Sequence, residues 1–225
     1  MRRHMGRNKY TEEQRNEIIT TFLDATRGII DAEGVSGVSI RKVAANAGYN
    51  SATLYLYFKD VDTLITLASI GYLEDYCRML ANSNIQVADP VDAYLYSWTL
   101  FSRHASVRPD VYHHLFFEEH STPLDESVSF YYSIYPEQLA NISDTVLEML
   151  SRGKFEERNA AMLQPLVKRG LVKEENVELV NALTISYFQV LLERLMKSND
   201  YSMSDDSISV KMEEANRFLL HLGGK

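Results

Sequence analysis

The chain has 225 residues, is 45% hydrophobic and carries a formal net charge of −8. That is length for one large or two modest domains and apolar content enough for real cores, which excludes a disordered chain. One cysteine, Cys77, excludes an internal disulfide, and no charged-then-apolar leader opens the sequence, so a cytoplasmic location is expected.

Charge divides unevenly along the chain. Residues 1–59 sum to +3 and residues 60–225 to −11, so the positive end is the candidate nucleic-acid face and the remainder repels polyanions. Residues 1–10 form a basic arm with Arg2, Arg3, His4, Arg7 and Lys9, readable either as a phosphate-touching extension or as a solvated tail.

Thr11-Glu12-Glu13-Gln14 is a capping box and predicts a first helix from about Glu12. Ile18, Phe22, Ala25 and Ile29 share its apolar face, and Gly34 ends it. Ser39 caps a short second helix, Ile40 to Ala45, with Val38 and Val43 placed as a hydrophobic staple. Ala47-Gly48 is the tight turn, and Asn50 caps a third helix running through Tyr57, with Leu54 inward and Tyr55 and Tyr57 outward. Asp60 caps a long fourth helix expected to reach about Ala81, with breaks at Ala81 to Asn84 and at Asp89-Pro90.

Beyond Pro90 there is no strand alternation and no Gly-rich phosphate loop; helical spacing recurs between Pro109, Pro123, Pro136, Gly153 and Gly170, and a polar loop spans Ser198 to Ser207. Tyr94, Trp98, Phe101 and Ala105 share one face, as do Ile208, Met212, Ala215, Leu219 and Leu222. The fold class is therefore all-α: an N-terminal three-helix, helix-turn-helix domain in residues 1–59 and a larger helical domain in residues 60–225, with helix 60–81 as connector.

Residues 179–196 hold twelve apolar side chains in eighteen, more than one buried face accommodates. The stretch is interrupted by Asn181, Thr184, Ser186, Gln189, Glu193 and Arg194, which argues against a membrane span. Pairing of this helix and the terminal helix with their symmetry mates in a four-helix interface fits better, through Leu183, Tyr187, Leu191, Ala215 and Leu219.

Between Val38 and Lys59 the chain resembles the tetracycline-repressor (TetR) family, most strongly in Ala47-Gly48, Thr53-Leu54-Tyr55, Tyr57-Phe58-Lys59 and Leu64. The resemblance covers about residues 11–65. It implies a homodimeric regulator, most often a repressor, that binds double-stranded DNA at a palindromic operator and is released by a small-molecule effector. Carried over position by position, it implies DNA contacts from Ser39, Arg41, Tyr49, Asn50, Ser51, Thr53, Tyr55, Tyr57 and Lys59. The residue types suit the task. Ser51, Ala52 and Thr53 are short enough to enter a major groove, Arg41 has the fork for guanine, and the tyrosine hydroxyls and Lys59 suit phosphates. The family often has Lys at the position of Val61 and a basic residue at Ser51 or Leu56, which this chain lacks, so phosphate affinity is lower or comes from the arm.

The second domain is rich in aromatics, suited to a flat or hydrophobic effector and equally to core packing. Tyr94, Trp98, Phe101, Phe116, Phe117 and Tyr131 are the candidate ligand contacts. His104, His113, His114 and His120 with Glu118 and Glu119 lack metal-ligand spacing, so no metal is expected. No catalytic motif or cofactor signature is present, and an enzyme is not expected. The alternative function is a helical DNA-associated protein that binds a protein partner in place of an inducer.

Overall fold

The computed structural model describes residues 11–83, 89–139, 154–197 and 206–224. The basic arm, Asn84, Gly153 and most of the polar loop before Ser207 lie outside them. Among the described residues every regular element is helical, and none is long and apolar enough to cross a membrane. The chain divides into two compact units, Met1–Ala68 and Ser69–Lys225.

In the first unit α1 spans Glu12–Glu33 and opens on the capping box: the Gln14 amide donates to Thr11 Oγ1 at 3.2 Å, and the Thr11 amide to Gln14 Oε1 at 3.0 Å. Its buried stripe is Ile18, Ile19, Phe22, Leu23, Thr26, Ile29 and Ile30, two residues per turn, as a helix facing two neighbours requires. Gly34 follows at φ 79°, a conformation that only glycine adopts cheaply, and its amide donates to the Ile30 carbonyl. Helix α2 spans Ile40–Asn46 and packs on α1 and on α3, Ser51–Leu54. The third helix was expected to run to Tyr57 and instead ends at Leu54. The Leu56 amide donates to Thr53 and the Tyr57 amide to Leu54, three-residue bonds that tighten the chain into a turn.

Helix α4 spans Val61–Ile70. Asp60 caps it, accepting from the Thr63 amide at 2.8 Å and from its hydroxyl at 2.9 Å. The division between units falls within this helix because its early turns belong to the first core: Leu64 and Leu67 are buried, and Arg27 of α1 donates to the Ala68 carbonyl at 3.3 Å. The expected single helix to Ala81 is interrupted. A 3₁₀ turn at Gly71–Leu73 separates α4 from α5, Glu74–Ala81; Gly71, a poor helix former, opens the tightened turn.

The second unit contains α5, α6 (Pro90–Val107), α7 (Pro109–Phe117), α8 (Leu124–Ile134), α9 (Pro136–Leu139), α10 (Phe155–Lys168), α11 (Val177–Lys197) and α12 (Asp206–Gly223). Helix α6 is the centre: it packs on α5, α7, α10, α11 and α12, and its face of Tyr94, Trp98, Phe101 and Ala105 is buried as expected. Helix α11 packs on α7, α10 and α12. The Thr184 hydroxyl donates to Asn216 Oδ1 at 3.2 Å across the buried α11–α12 contact. The buried stripe of α12 is rotated from the one expected: Ile208, Met212, Asn216 and Leu220 are buried, whereas Ala215 and Leu219 are half-buried.

Candidate DNA-reading surface and aromatic cavity

The turn between α2 and α3 rests on Gly48, at φ 74°. Asn50 then does two tasks with one oxygen, accepting from the Thr53 amide at 2.9 Å and from the Thr53 hydroxyl at 3.1 Å. The cap starts the helix and fixes the Thr53 side chain together. Beneath this surface Leu54 and Phe58 are buried, and the Phe22 ring meets Tyr49 at 5.1 Å, Phe58 at 5.9 Å and Tyr57 at 6.3 Å. The Arg15 guanidinium lies 5.8 Å from the Tyr57 ring. Short α3 is thus held from below by aromatic packing.

Of the nine DNA-contact residues implied by the sequence, Ser39, Arg41, Tyr49, Asn50, Tyr55 and Lys59 are exposed and Ser51, Thr53 and Tyr57 half-buried. Tyr55 is 57% exposed, although its neighbour Leu54 is fully covered. Ser39 also caps α2, accepting from the Lys42 amide at 3.4 Å. Lys42 turns away to Glu33 at 2.5 Å and to the Gly37 carbonyl at 3.1 Å, whereas Arg41 forms no ion pair among the described residues. The surface is therefore polar, carries an exposed guanidinium and stands on a buried apolar base.

The second unit contains an aromatic cavity of about 40 Å³, lined by Tyr76, Trp98, Phe101, Phe116 and Phe155 with Leu73, Met162, Ser97, Arg158 and Asn159. Phe155 is the hub, 4.7 Å from Phe116, 5.4 Å from Phe101 and 5.9 Å from Trp98 between ring centroids. Trp98, Phe101 and Phe116 of the six expected contacts line it. Tyr94 is buried outside the lining, Phe117 stands behind Phe155, and Tyr131 packs with Tyr132 and Tyr135. Phe155, Arg158, Asn159 and Met162 were not singled out by sequence. Their signal was present: they share one face of α10, with a charged residue set among apolar ones.

Polar groups in this wall are ordered by hydrogen bonds. The Trp98 indole donates to Asn159 Oδ1 at 2.9 Å, and Asn159 Nδ2 donates to Asn181 Oδ1 at 2.8 Å. The Ser97 hydroxyl donates to the Ala93 carbonyl at 2.9 Å. Burial raises the Tyr76 phenol above its usual range and pushes the Cys77 thiol up to about 12, so both stay neutral. Burial also pulls the Arg158 guanidinium below its ordinary value.

The histidines of this stretch make polar contacts both near and far in sequence, His113 Nε2 lying 3.9 Å from Glu193 Oε1. His114 and His113 approach the Glu118 carboxylate at 2.9 and 3.4 Å, and His120 meets the Leu115 carbonyl at 3.3 Å. Desolvation alone would raise the Glu118 carboxyl; the hydrogen bonds and charge of the two imidazoles outweigh it and hold it below its usual range.

The expected apolar interface residues divide. Leu183 is 46% exposed, Tyr187, Ala215 and Leu219 are half-buried, and Leu191 has no exposed surface, being covered by its own chain. Leu179, Val190 and Phe218 are exposed apolar residues on the same two helices.

Residues 22–66 match the family described as bacterial regulatory proteins, tetR family. No curated protein matches the chain in sequence. Solved structures share the fold across nearly the whole length. FadR from Thermus thermophilus, a TetR-family transcriptional repressor in complex with lauroyl-CoA, is 14% identical with a TM-score of 0.58, over 90% of this chain and 93% of that one. RolR in complex with resorcinol is 13% identical with a TM-score of 0.56, over 95% and 96%. A TetR-like transcriptional regulator from Rhodococcus sp. RHA1 is 14% identical with a TM-score of 0.51, over 93% and 97%.

Proposed function

From the premise that this chain belongs, through its N-terminal module, to the tetR family of bacterial regulatory proteins, we propose that it is a homodimeric repressor released from a palindromic operator by a small molecule. The observation that carries the reading is the surface around Gly48: Arg41, Tyr49, Tyr55 and Lys59 exposed beside an Asn50-capped Thr53, over a buried Phe22–Leu54–Phe58 base. A capped, short-sided helix start next to an exposed guanidinium suits entry into a major groove. Arg41 and Thr53 choose sequence; Tyr55, Tyr57 and Lys59 hold phosphates.

The effector half of the proposal rests on the aromatic cavity of the second unit and on fold neighbours solved with resorcinol and with lauroyl-CoA. Two recognition helices must meet groove faces about 34 Å apart, so an effector that favours a mis-spaced dimer loosens both together. Helix α4 is the covalent route for that coupling. A typical coupling of about 1–3 kcal/mol would weaken operator binding roughly 5–150-fold, and DNA would weaken effector binding by the same factor.

The test is operator selection from random duplex DNA, followed by fluorescence anisotropy with wild type and an Arg41→Ala, Tyr55→Phe, Lys59→Ala variant. Loss of affinity in the variant is expected, with about 1–3 kcal/mol attributable to Arg41 at its base if the contact is bidentate. Unchanged binding would overturn the docking surface. Equal effector affinity with and without operator would remove the sensor and leave the repressor.

A further inference from the structure

Between residues 11 and 68 the lysines and arginines are Arg15, Arg27, Arg41, Lys42 and Lys59. Two are engaged within the unit: Arg27 with Asp24 at 3.1 Å and the Ala68 carbonyl at 3.3 Å, Lys42 with Glu33 and the Gly37 carbonyl. Arg41 and Lys59 already belong to the surface around Gly48. Arg15 is left. It is exposed, and among the described residues its guanidinium makes no ion pair or hydrogen bond. What it meets is Tyr57, whose ring centroid lies 5.8 Å from the guanidinium carbon.

Helix geometry puts it there. Arg15, Ile18, Ile19 and Phe22 follow one another along one face of α1 at helical spacing. Ile18, Ile19 and Phe22 are buried, and the Phe22 ring meets Tyr49 and the same Tyr57. Arg15 is therefore the point where the stripe that supports the α2–α3 surface leaves the core, its stem extending the apolar face and its charged head remaining in solvent. The exposed Glu13 and Glu17 stand two positions to either side, a rotation of about 200°, and so occupy the opposite side of α1. Glu12, three positions earlier, makes no ion pair with Arg15. A guanidinium at such a site is weakly hydrated and presents N–H donors in a planar fork that matches two phosphate oxygens.

The segment from Ser51 to Val61 is short of charge where the family resemblance implies it: Ser51, Leu56 and Val61 are neutral, and Leu56 is 73% exposed. We propose that Arg15 binds a backbone phosphate of the operator beside Tyr57, supplying from α1 the charge missing at those three positions. This rests on the reading of the first unit as a DNA-binding module and adds a contact from outside the α2–turn–α3 segment. A phosphate contact holds the protein in register on the duplex and carries no sequence preference.

The test is the salt dependence of DNA binding by the full-length protein. Fluorescence anisotropy is measured over a series of potassium chloride concentrations, with the selected operator and with an unrelated duplex of equal length, for wild type, Arg15→Gln, Arg15→Met and Arg15→Lys. Loss of one phosphate contact flattens the plot of log affinity against log salt by about 0.9 per bound protomer. For Arg15→Gln and Arg15→Met the deficit against wild type is then expected to shrink about 3.5-fold per protomer as salt rises fourfold. The deficit should be the same on operator and unrelated duplex, and Arg15→Lys should keep the wild-type slope. Arg15→Met retains the apolar stem, so a role confined to packing against Tyr57 would leave its slope unchanged and overturn the inference. Wild-type affinity in Arg15→Gln, or a deficit seen on the operator alone, would overturn it as well while leaving the α2–α3 surface as the DNA site. Should Arg15→Gln fail to fold by circular dichroism, Arg15→Met and Arg15→Lys decide. Absence of binding to any duplex by wild type would overturn both this contact and the DNA-binding reading.

Discussion

Trp98 and Asn159, 61 positions apart in sequence, are joined by an indole N–H to amide oxygen hydrogen bond of 2.9 Å in a buried setting. Asn159 continues to Asn181 Oδ1, and the Asn181 amino group reaches the Glu156 carbonyl at 3.0 Å, so one polar chain ties α6, α10 and α11 behind the aromatic cavity. Rings alone fix distance loosely; the amide chain fixes which face of the indole looks into the cavity.

Asn159→Leu keeps the volume but strands the buried indole N–H. A loss of about 1–3 kcal/mol is expected, as for an unsatisfied buried donor. Urea unfolding followed by Trp98 emission would measure it; an unchanged midpoint would mean the bond contributes nothing net.

Asn50→Ala removes the cap of a helix only four residues long and frees the Thr53 hydroxyl. Cap loss costs about 1 kcal/mol, and a helix this short cannot draw that from its own propagation. Operator affinity should fall while far-ultraviolet dichroism hardly changes, and Asn50→Asp, which keeps a capping oxygen, should retain more of it. Equal operator binding by wild type and Asn50→Ala would show that α3 needs no preordering.

The two classes of apolar residue on α11 should part experimentally. Leu191→Asp buries an unpaired charge in the chain's own core, a change of several kcal/mol, and should lower thermal stability whatever the oligomeric state. Leu183→Asp and Phe218→Asp, at residues 46% and 62% exposed, should leave a folded chain that sediments as a monomer. A folded, intact dimer for both surface variants would move the interface elsewhere.

His104 gives a pH dependence of known sign. Burial holds its imidazole below the ordinary value of 6.5, outweighing the pull of Asp75, while Arg103 lowers it further. Below about pH 6.5 the unfolded chain binds this proton and the folded chain resists it, so stability falls as pH drops through that region; above it both states are neutral and the effect disappears. Melting temperatures between about pH 5.5 and 7.5 should decline toward acid less steeply in His104→Gln than in wild type. Parallel profiles would exclude His104 as a contributor.

Several features were legible because their causes lie within a few residues. The capping box at Thr11 and Gln14, the caps at Ser39, Asn50 and Asp60, and the left-handed glycines at 34 and 48 are local devices, and each stands where the sequence places it. The end of α3 at Leu54 was not legible, because Tyr55 to Tyr57 carry helical spacing and the tightened turn sits over Phe22, contributed by another helix. Periodicity likewise marked α11 as too apolar for one face without telling Leu191, wholly covered, from Leu183, nearly half exposed. A hydrophobic repeat records that a side chain needs cover, whereas only the assembled helices decide what provides it. The cavity shows the same limit: Trp98 comes from α6, Phe116 from α7 and Phe155 with Arg158 from α10, and the sequence contains the rings and the charge but not their meeting. Local sequence determined the helices of the first unit and the turn between α2 and α3, since hydrogen bonds a few residues long specify them. Tertiary structure alone decided which side chains line the cavity and which remain on the surface, since those depend on contacts between segments far apart in the chain.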